Sequence, residues 1–381
     1  MKHRNVLLLL GGAAYQRLSG IARYAHEHEW YVTLDEISEL PHNWSGDGVL
    51  VTLRNNQPKL RDFIVKTMER NIPIVDYSIC HPELRLHRVI GDHVAIGQLA
   101  AEHFRTRRFK HVAFFSSESS HVVDIRYGSF ARAWGDNPPR WNWRKAARKS
   151  EFGNHAALIS WLVTQLKSAP KPLAVFAFKD SDAARILNAC LAIGLNVPEE
   201  VSILGVDDFQ VITENQAIPL SSIRHNIEQT GYKGAELLDR LMDGHDVPLT
   251  PILVPPSGIA ERRSTQTLAV SDETVKRALS LLTENIARPY GIDQLISEMG
   301  IKPHVLRSLF EKHLGTTPIK EFTRLRMARA KLLLANTTLP IKTIASEVGY
   351  CNIGYFSNSF SESVGVSPSA YRTALPAWVK L

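Results

Sequence analysis

Two clusters of polar side chains in the last third of the chain have the types and spacing to read a nucleic acid. Lys302, His304, Arg307, Ser308 and Lys312 follow Gly300, and Asn352, Gly354, Tyr355 and Asn358 follow Gly349. Residues three and four apart share a helix face, so each cluster would line the exposed start of one helix. Arg307 is best placed to read sequence, because a guanidinium meets guanine through two hydrogen bonds. Lys312 and Arg372 suit phosphates, which fix register without reading bases. Thr317 and Ser367 each precede a proline, as an N-cap precedes the first turn of a helix, and the free N–H groups of a helix start also attract phosphate.

Other chemistry finds less support. His81, His87, His93, His103, His111 and His121 stand in no spacing such as H-E-x-x-H, so they are expected at the surface or as caps, and no metal is expected. Cys80, Cys190 and Cys351 are scattered and odd in number, which argues against a disulfide framework. Gly11 and Gly12 follow the first apolar run, but the G-x-G-x-x-G fingerprint is incomplete and no P-loop or nucleophile elbow occurs, so neither an enzyme nor a cofactor is expected. No apolar run reaches the ~18 residues of a membrane span, and the run at 6–10 is too short for a signal peptide. A cytoplasmic protein with no membrane partner is expected.

The elements that position the two clusters form a repeat. The segment IDQLISEMGIKPHVLRSLFEKHLGTTP (292–318) returns as IKTIASEVGYCNIGYFSNSFSESVGVSP (341–368). Each copy reads as a helix, a glycine turn and a second helix, the glycine taking a left-handed conformation without a Cβ penalty. Gly300 and Gly349 are 49 apart, whereas Phe310 and Phe360 are 50 apart, so the second turn holds one extra residue. Leu306 with Phe310, and Phe356 with Phe360, would hold each second helix against its scaffold. Between the copies, 318–335 reads as one helix of roughly 27 Å. That approaches the ~34 Å of a DNA turn, so one chain is expected to place two helices in successive major grooves. Charge agrees: residues 271–381 carry 14 Lys/Arg against 9 Asp/Glu, while the rest carries 31 against 29. Such a local basic excess is what phosphate neutralisation needs.

The segment IKTIASEVGYCNIGYFSNSFSESVGVSPSAYR resembles the signature of the AraC/XylS-type transcriptional regulators, a likeness covering about 100 residues. The resemblance implies double-stranded DNA as a partner. This chain departs from it at Ser308 and Asn358, where the family often carries arginine.

The first two-thirds alternates apolar runs at 6–10, 48–53, 72–76, 111–115, 173–178 and 201–206 with amphipathic stretches at 17–28, 94–105, 156–166, 181–193 and 228–242. That alternation predicts parallel sheets with helices on both faces. In the helix at 228–242, Tyr232, Ala235, Leu238 and Leu241 share a face. Ligands of such sheets bind beyond the carboxyl ends of strands, which selects Tyr15, Gln16 and Arg17 after the first strand. Around 255–270 the sequence becomes rich in Pro, Ser and Thr and loses its periodicity, as an exposed linker does. The expected division is a sensor at 1–266, a linker at 267–274 and a helical domain at 275–381.

HRVIGDHVAIGQLAAEHF, RYGSFARAW, NVPEEVSILGVDDF and PLSSIRHNIEQTGYKGAELLDRL resemble the sensor domains of LacI-type regulators and periplasmic sugar-binding proteins. The resemblance implies two Rossmann-like lobes closing on a sugar, with Arg126, Asp180 and Asp207 at matching ligand positions. Carboxylates and a guanidinium suit vicinal hydroxyls, and Phe178, Tyr15 or Trp134 would supply a ring for an apolar sugar face. Lys179 stands where related sensors often have an amide, which keeps an acidic ligand open. The chain begins directly with a strand, without the N-terminal DNA-binding helices of LacI-type proteins. A two-lobed α/β sensor joined to an all-α double helix-turn-helix domain implies a sugar-responsive regulator, an activator of a catabolic operon. The overall resemblance implies xylose or a related pentose as effector, with a hexose or sugar acid as the alternative. The resemblance also implies homodimers on direct repeats and contact with RNA polymerase; a transport protein fits poorly, given the attached repeat.

Overall fold

A computed structural model describes residues 3–11, 15–34, 40–41, 44–267, 270, 272–337 and 339–374. The first lobe is a six-stranded sheet whose strands all pair in parallel, in the order β11(Ile252–Val254), β5(His87–Gly91), β4(Ile74–Asp76), β3(Gly48–Val51), β1(Asn5–Leu9), β2(Tyr31–Leu34). β1 and β3 are apolar because helices cover both faces: Leu7, Leu9, Val49 and Val51 pack toward α2(Pro58–Glu69), and Leu8 and Leu50 toward α1(Tyr15–Glu27) and α9(Ile227–Met242). The expected stripe on α9 is present, with Ala235 and Leu238 buried and Tyr232 and Leu241 packed beside them.

The second lobe has the order β12(Ile259–Ala260), β10(Ser221–Ile223), β9(Val201–Val206), β8(Leu173–Ala177), β6(His111–Ser116), β7(Arg140–Asn142), parallel except where β12 meets β10. Around it lie α3(His93–Thr106), α4(His121–Trp134), α5(Trp143–Ala146), α6(His155–Ser168), α7(Asp180–Ala192) and α8(Gln210–Thr213). The chain crosses between the lobes three times, at 91–93, 224–226 and 255–258. The apolar runs of the sequence mark β1, β3, β4, β6, β8 and β9; they miss β5, a five-residue interior strand that mixes His87, Arg88 and Gly91 with its apolar residues, and the shorter β2, β7, β10, β11 and β12, where two to four residues give little pattern.

The polar stretch after Pro255 is not the exposed linker its composition suggests. β12 and a single 3-10 turn, Arg263–Thr265, complete the second sheet, and Ser264 and Thr265 are fully buried. Their hydroxyls are satisfied by protein: Ser264 Oγ donates to Ile203 O at 2.6 Å and accepts from Ser221 N at 2.8 Å, and Ser221 Oγ lies 2.7 Å from Thr265 Oγ1. Ser and Thr paired in this way enter a core at little cost. α10(Glu273–Glu284), capped by Asp272, begins inside the expected linker and shortens it.

The described elements after α10 are all helices: α11(Ile292–Met299), α12(Pro303–Leu314), α13(Pro318–Asn336), α14(Ile341–Glu347), α15(Ile353–Val364) and α16(Pro368–Ala374). α13 belongs to two cores at once. Phe322 joins Leu295, Leu306 and Phe310 in the first, while Met327, Ala330 and Leu334 join Ile344, Phe356 and Phe360 in the second.

Candidate effector cleft and nucleic-acid interface

The cleft lies where the three crossovers meet. Asp207 follows β9 with φ 103°, a conformation L-residues seldom adopt, and its Oδ1 lies 3.0 Å from His225 Nδ1. Arg126, 3% exposed on α4, lies across the Phe178 ring at 4.8 Å and donates to Phe178 O at 2.5 Å. Its other nitrogens reach His93 Nδ1 at 3.4 Å and His225 Nδ1 at 3.5 Å. Burial raises the Asp207 pKa, but the hydrogen bond from His225 and the charges of His225, Arg126 and Lys179 outweigh it and hold the carboxyl below its ordinary value. Burial, with Arg126 alongside, pushes His93 well below its ordinary value and His225 below its own. A cavity of about 440 Å³ opens beside this cluster, lined by Gln16, Asp207, His225 and Asn226 among others. From the first lobe, Arg17 donates to Thr52 Oγ1 at 3.3 Å and lies over Tyr77, with its Nε buried and without a hydrogen-bond partner among the described residues.

Other expected residues take different places. Asp180 is buried as the first residue of α7, and both its oxygens are engaged, accepting from Ser222 Oγ at 2.6 Å and Phe209 N at 2.8 Å. It holds the loop after β9 rather than facing the cavity. Tyr15 stands 76% exposed, Lys179 pairs with Glu118 at 2.5 Å, and Trp134 stacks on Phe130 at the far end of α4. His93 and His225 were not selected by sequence reasoning. His93 opens α3 and was grouped with surface histidines; only the crossover geometry brings the two rings to 5.2 Å. His103 is buried, not at the surface.

The recognition helices match their expected form. Gly300 and Gly349 have φ 62° and 76°, and the turn from glycine to the next helix is one residue longer in the second copy. Lys302, His304, Arg307, Ser308 and Lys312 are exposed on or before α12, and Asn352, Gly354, Tyr355 and Asn358 on or before α15, while Leu306, Phe310, Phe356 and Phe360 are fully buried. Asn352 caps α15, accepting from Gly354 N at 2.8 Å and Tyr355 N at 3.1 Å. Thr317 caps α13, and Ser367 accepts from Ala370 N at 3.1 Å at the start of α16. Arg372 is half-buried, with Nε and Nη2 lacking hydrogen-bond partners among the described residues.

Residues 101–265 match the family described as periplasmic binding protein-like domain, and residues 295–374 match a helix-turn-helix domain. The chain is an AraC-type helix-turn-helix regulator with a periplasmic-binding-protein-like sensor. It is 27% identical to the xylose operon regulatory protein of Escherichia coli K12, across 97% of each chain, and 24% identical to that of Haemophilus influenzae, across 97% and 98%. The solved structure of the xylose-binding transcription activator xylR shares its fold with a TM-score of 0.59 at 24% identity, covering 98% of this chain and 99% of that one.

Within this regulator the two helix-turn-helix units are clamped together. Arg326, midway along α13, donates to Arg288 O at 2.9 Å and Tyr290 O at 3.2 Å in the first unit, and lies over Phe322 at 4.0 Å and Tyr350 at 5.5 Å. A Cβ on Gly349 would meet Ile286 O at 2.5 Å and Arg288 O at 2.6 Å, so the second turn sits directly against the first unit. With serine and asparagine at positions 308 and 358, Arg307 is the one arginine on the exposed faces of α12 and α15. Its Nε donates to Glu311 at 2.9 Å at the surface. An exposed pair of this kind is weak and separates readily when a guanine is offered.

Proposed function

We propose that this chain is a sugar-responsive activator of a catabolic operon, working in the cytoplasm as a homodimer on direct repeats of DNA and contacting RNA polymerase there. The observation that carries the reading is the cluster of buried Arg126 with half-buried His225 and Asp207 at the meeting point of three lobe crossovers, in a chain whose other end presents two clamped recognition helices. A sugar bridging the lobes would favour the closed form, and only a ligand with different affinity for two states can shift them. Near-complete alignment with xylose operon regulatory proteins supports xylose or a related pentose as effector.

A sugar acid is the second reading. Neither Arg17 nor Arg126 forms an ion pair with a carboxylate among the described residues, leaving cationic donors for an acidic group. Thermal shift against pentoses, hexoses and sugar acids separates the two, because a ligand of the native state raises Tm. A rise with D-xylose that also changes operator affinity supports the first reading, and a rise with sugar acids alone supports the second. No rise with any sugar overturns both.

A further inference from the structure

No apolar cluster among the described residues contains side chains from both domains: four lie wholly in the sensor and two wholly beyond residue 269. The bridging contact is polar and centres on Glu321, in the first turn of α13, 2% exposed. Its carboxylate accepts from Arg324 Nη2 at 2.8 Å and is paired with Arg108 of the sensor. Arg324 also donates across the junction to Thr106 O at 3.1 Å. Burial works against the Glu321 charge, yet the bond to Arg324 and the charges of Arg324 and Arg108 hold its pKa below the ordinary value, so it is ionised at neutral pH. Beside it, a cleft of about 220 Å³ separates the domains. Among the described residues the junction is thus a polar contact rather than a packed apolar face.

That contact lies at one end of a helix whose other end is in the effector cleft. α3 begins at His93, beside Arg126, and ends at Thr106; its 14 residues span ~21 Å. It packs so closely on α4, which carries Arg126, that a Cβ on Gly97 would lie 2.0 Å from Ser129 Oγ. Arg107, next in the chain, donates to Thr265 O at 2.9 Å and to Glu261 at 2.7 Å, tying the same turn to the sensor's last residues.

We propose that residues 106–108 and Glu321 form the coupling joint of this regulator, through which α3 passes effector-driven movement of the second lobe to α13 and both recognition helices. Arg108 and Glu321 are positioning residues that touch neither effector nor DNA. The joint rests on the sugar-responsive reading for its input, and the test keeps the two apart. In the full chain, Arg108→Ala should leave sugar affinity within about twofold of wild type. The sugar-dependent change in operator affinity, of the ~5- to 150-fold size usual for such coupling, should fall below about twofold, and Arg108→Lys should restore part of it. Glu321→Gln should behave as Arg108→Ala does. In parallel, spin labels at Lys167 and Lys312 in a cysteine-free background should give one narrow distance distribution in wild type and a broadened one in Arg108→Ala. If wild type ignores every sugar, the effector reading fails while the distance measurement still decides the joint. An unbroadened distribution, or a sugar response that survives Arg108→Ala, overturns the proposal.

Discussion

Asp180 is a buried carboxyl, engaged at both oxygens, in a place to report on pH. Burial, with Asp207 nearby, pushes its pKa up to about 8. A raised carboxyl favours the fold most below its unfolded value near 4, and that contribution is lost as pH rises through about 8. Asp180→Asn removes the titration while keeping the shape, so its Tm relative to wild type should climb between pH 4 and pH 8, whatever constant offset the lost Phe209 contact imposes. A pH-independent difference would mean that Asp180 is already ionised in the fold. At the other end of the chain, Arg307→Ala should weaken specific operator binding roughly ten- to a hundredfold, while Glu311→Gln, which frees the guanidinium, should not. A gel-shift titration on specific and random DNA decides it. How far these residues were legible differs by kind. Arg307 could be found because helical spacing alone places it on an exposed face. His93 and His225 could not, since 132 residues separate them and only the crossing chains bring their rings together. Asp180 rests on the resemblance to sugar-binding sensors, which matches a position in the chain but not the direction in which its carboxylate is satisfied.

Among the elements, the two glycine turns have the same local geometry and different surroundings, which separates two costs that usually come together. A Cβ on Gly300, at φ 62°, would meet open space. Gly300→Ala should therefore cost only the left-handed penalty, about 1–2 kcal/mol. Gly349, at φ 76°, is crowded by backbone oxygens of the first unit and by Arg326. Gly349→Ala should cost clearly more and should disturb α15 preferentially, as hydrogen exchange of the second unit would reveal; equal effects from both substitutions would contradict the close approach. The sequence repeat made both turns, the longer second turn and the buried phenylalanines readable, because each depends on residues within one turn of helix. The 255–270 stretch misled for the opposite reason: its serines and threonines pair with partners more than 40 residues away, and composition carries no record of that.

At the scale of the molecule, what matters is whether the two recognition helices move as one body. α13, at 19 residues, spans ~28 Å and enters both cores, and Arg326 ties its midpoint to the first unit, so their separation is fixed before DNA is met. A rigid reader pays no entropy to align its second helix, but it tolerates only one spacing of sub-sites. Two sub-sites about one helical turn apart should therefore bind far more tightly than the same sub-sites half a turn out of phase, where the second helix would face the wrong side of the duplex. Arg326→Ala should narrow that ratio by weakening the in-phase site through lost preorganisation while sparing the out-of-phase site. Affinities of wild type and variant on the paired spacings test this directly. If the ratio is unchanged in the variant, α13 alone keeps the helices in register and the clamp serves only stability.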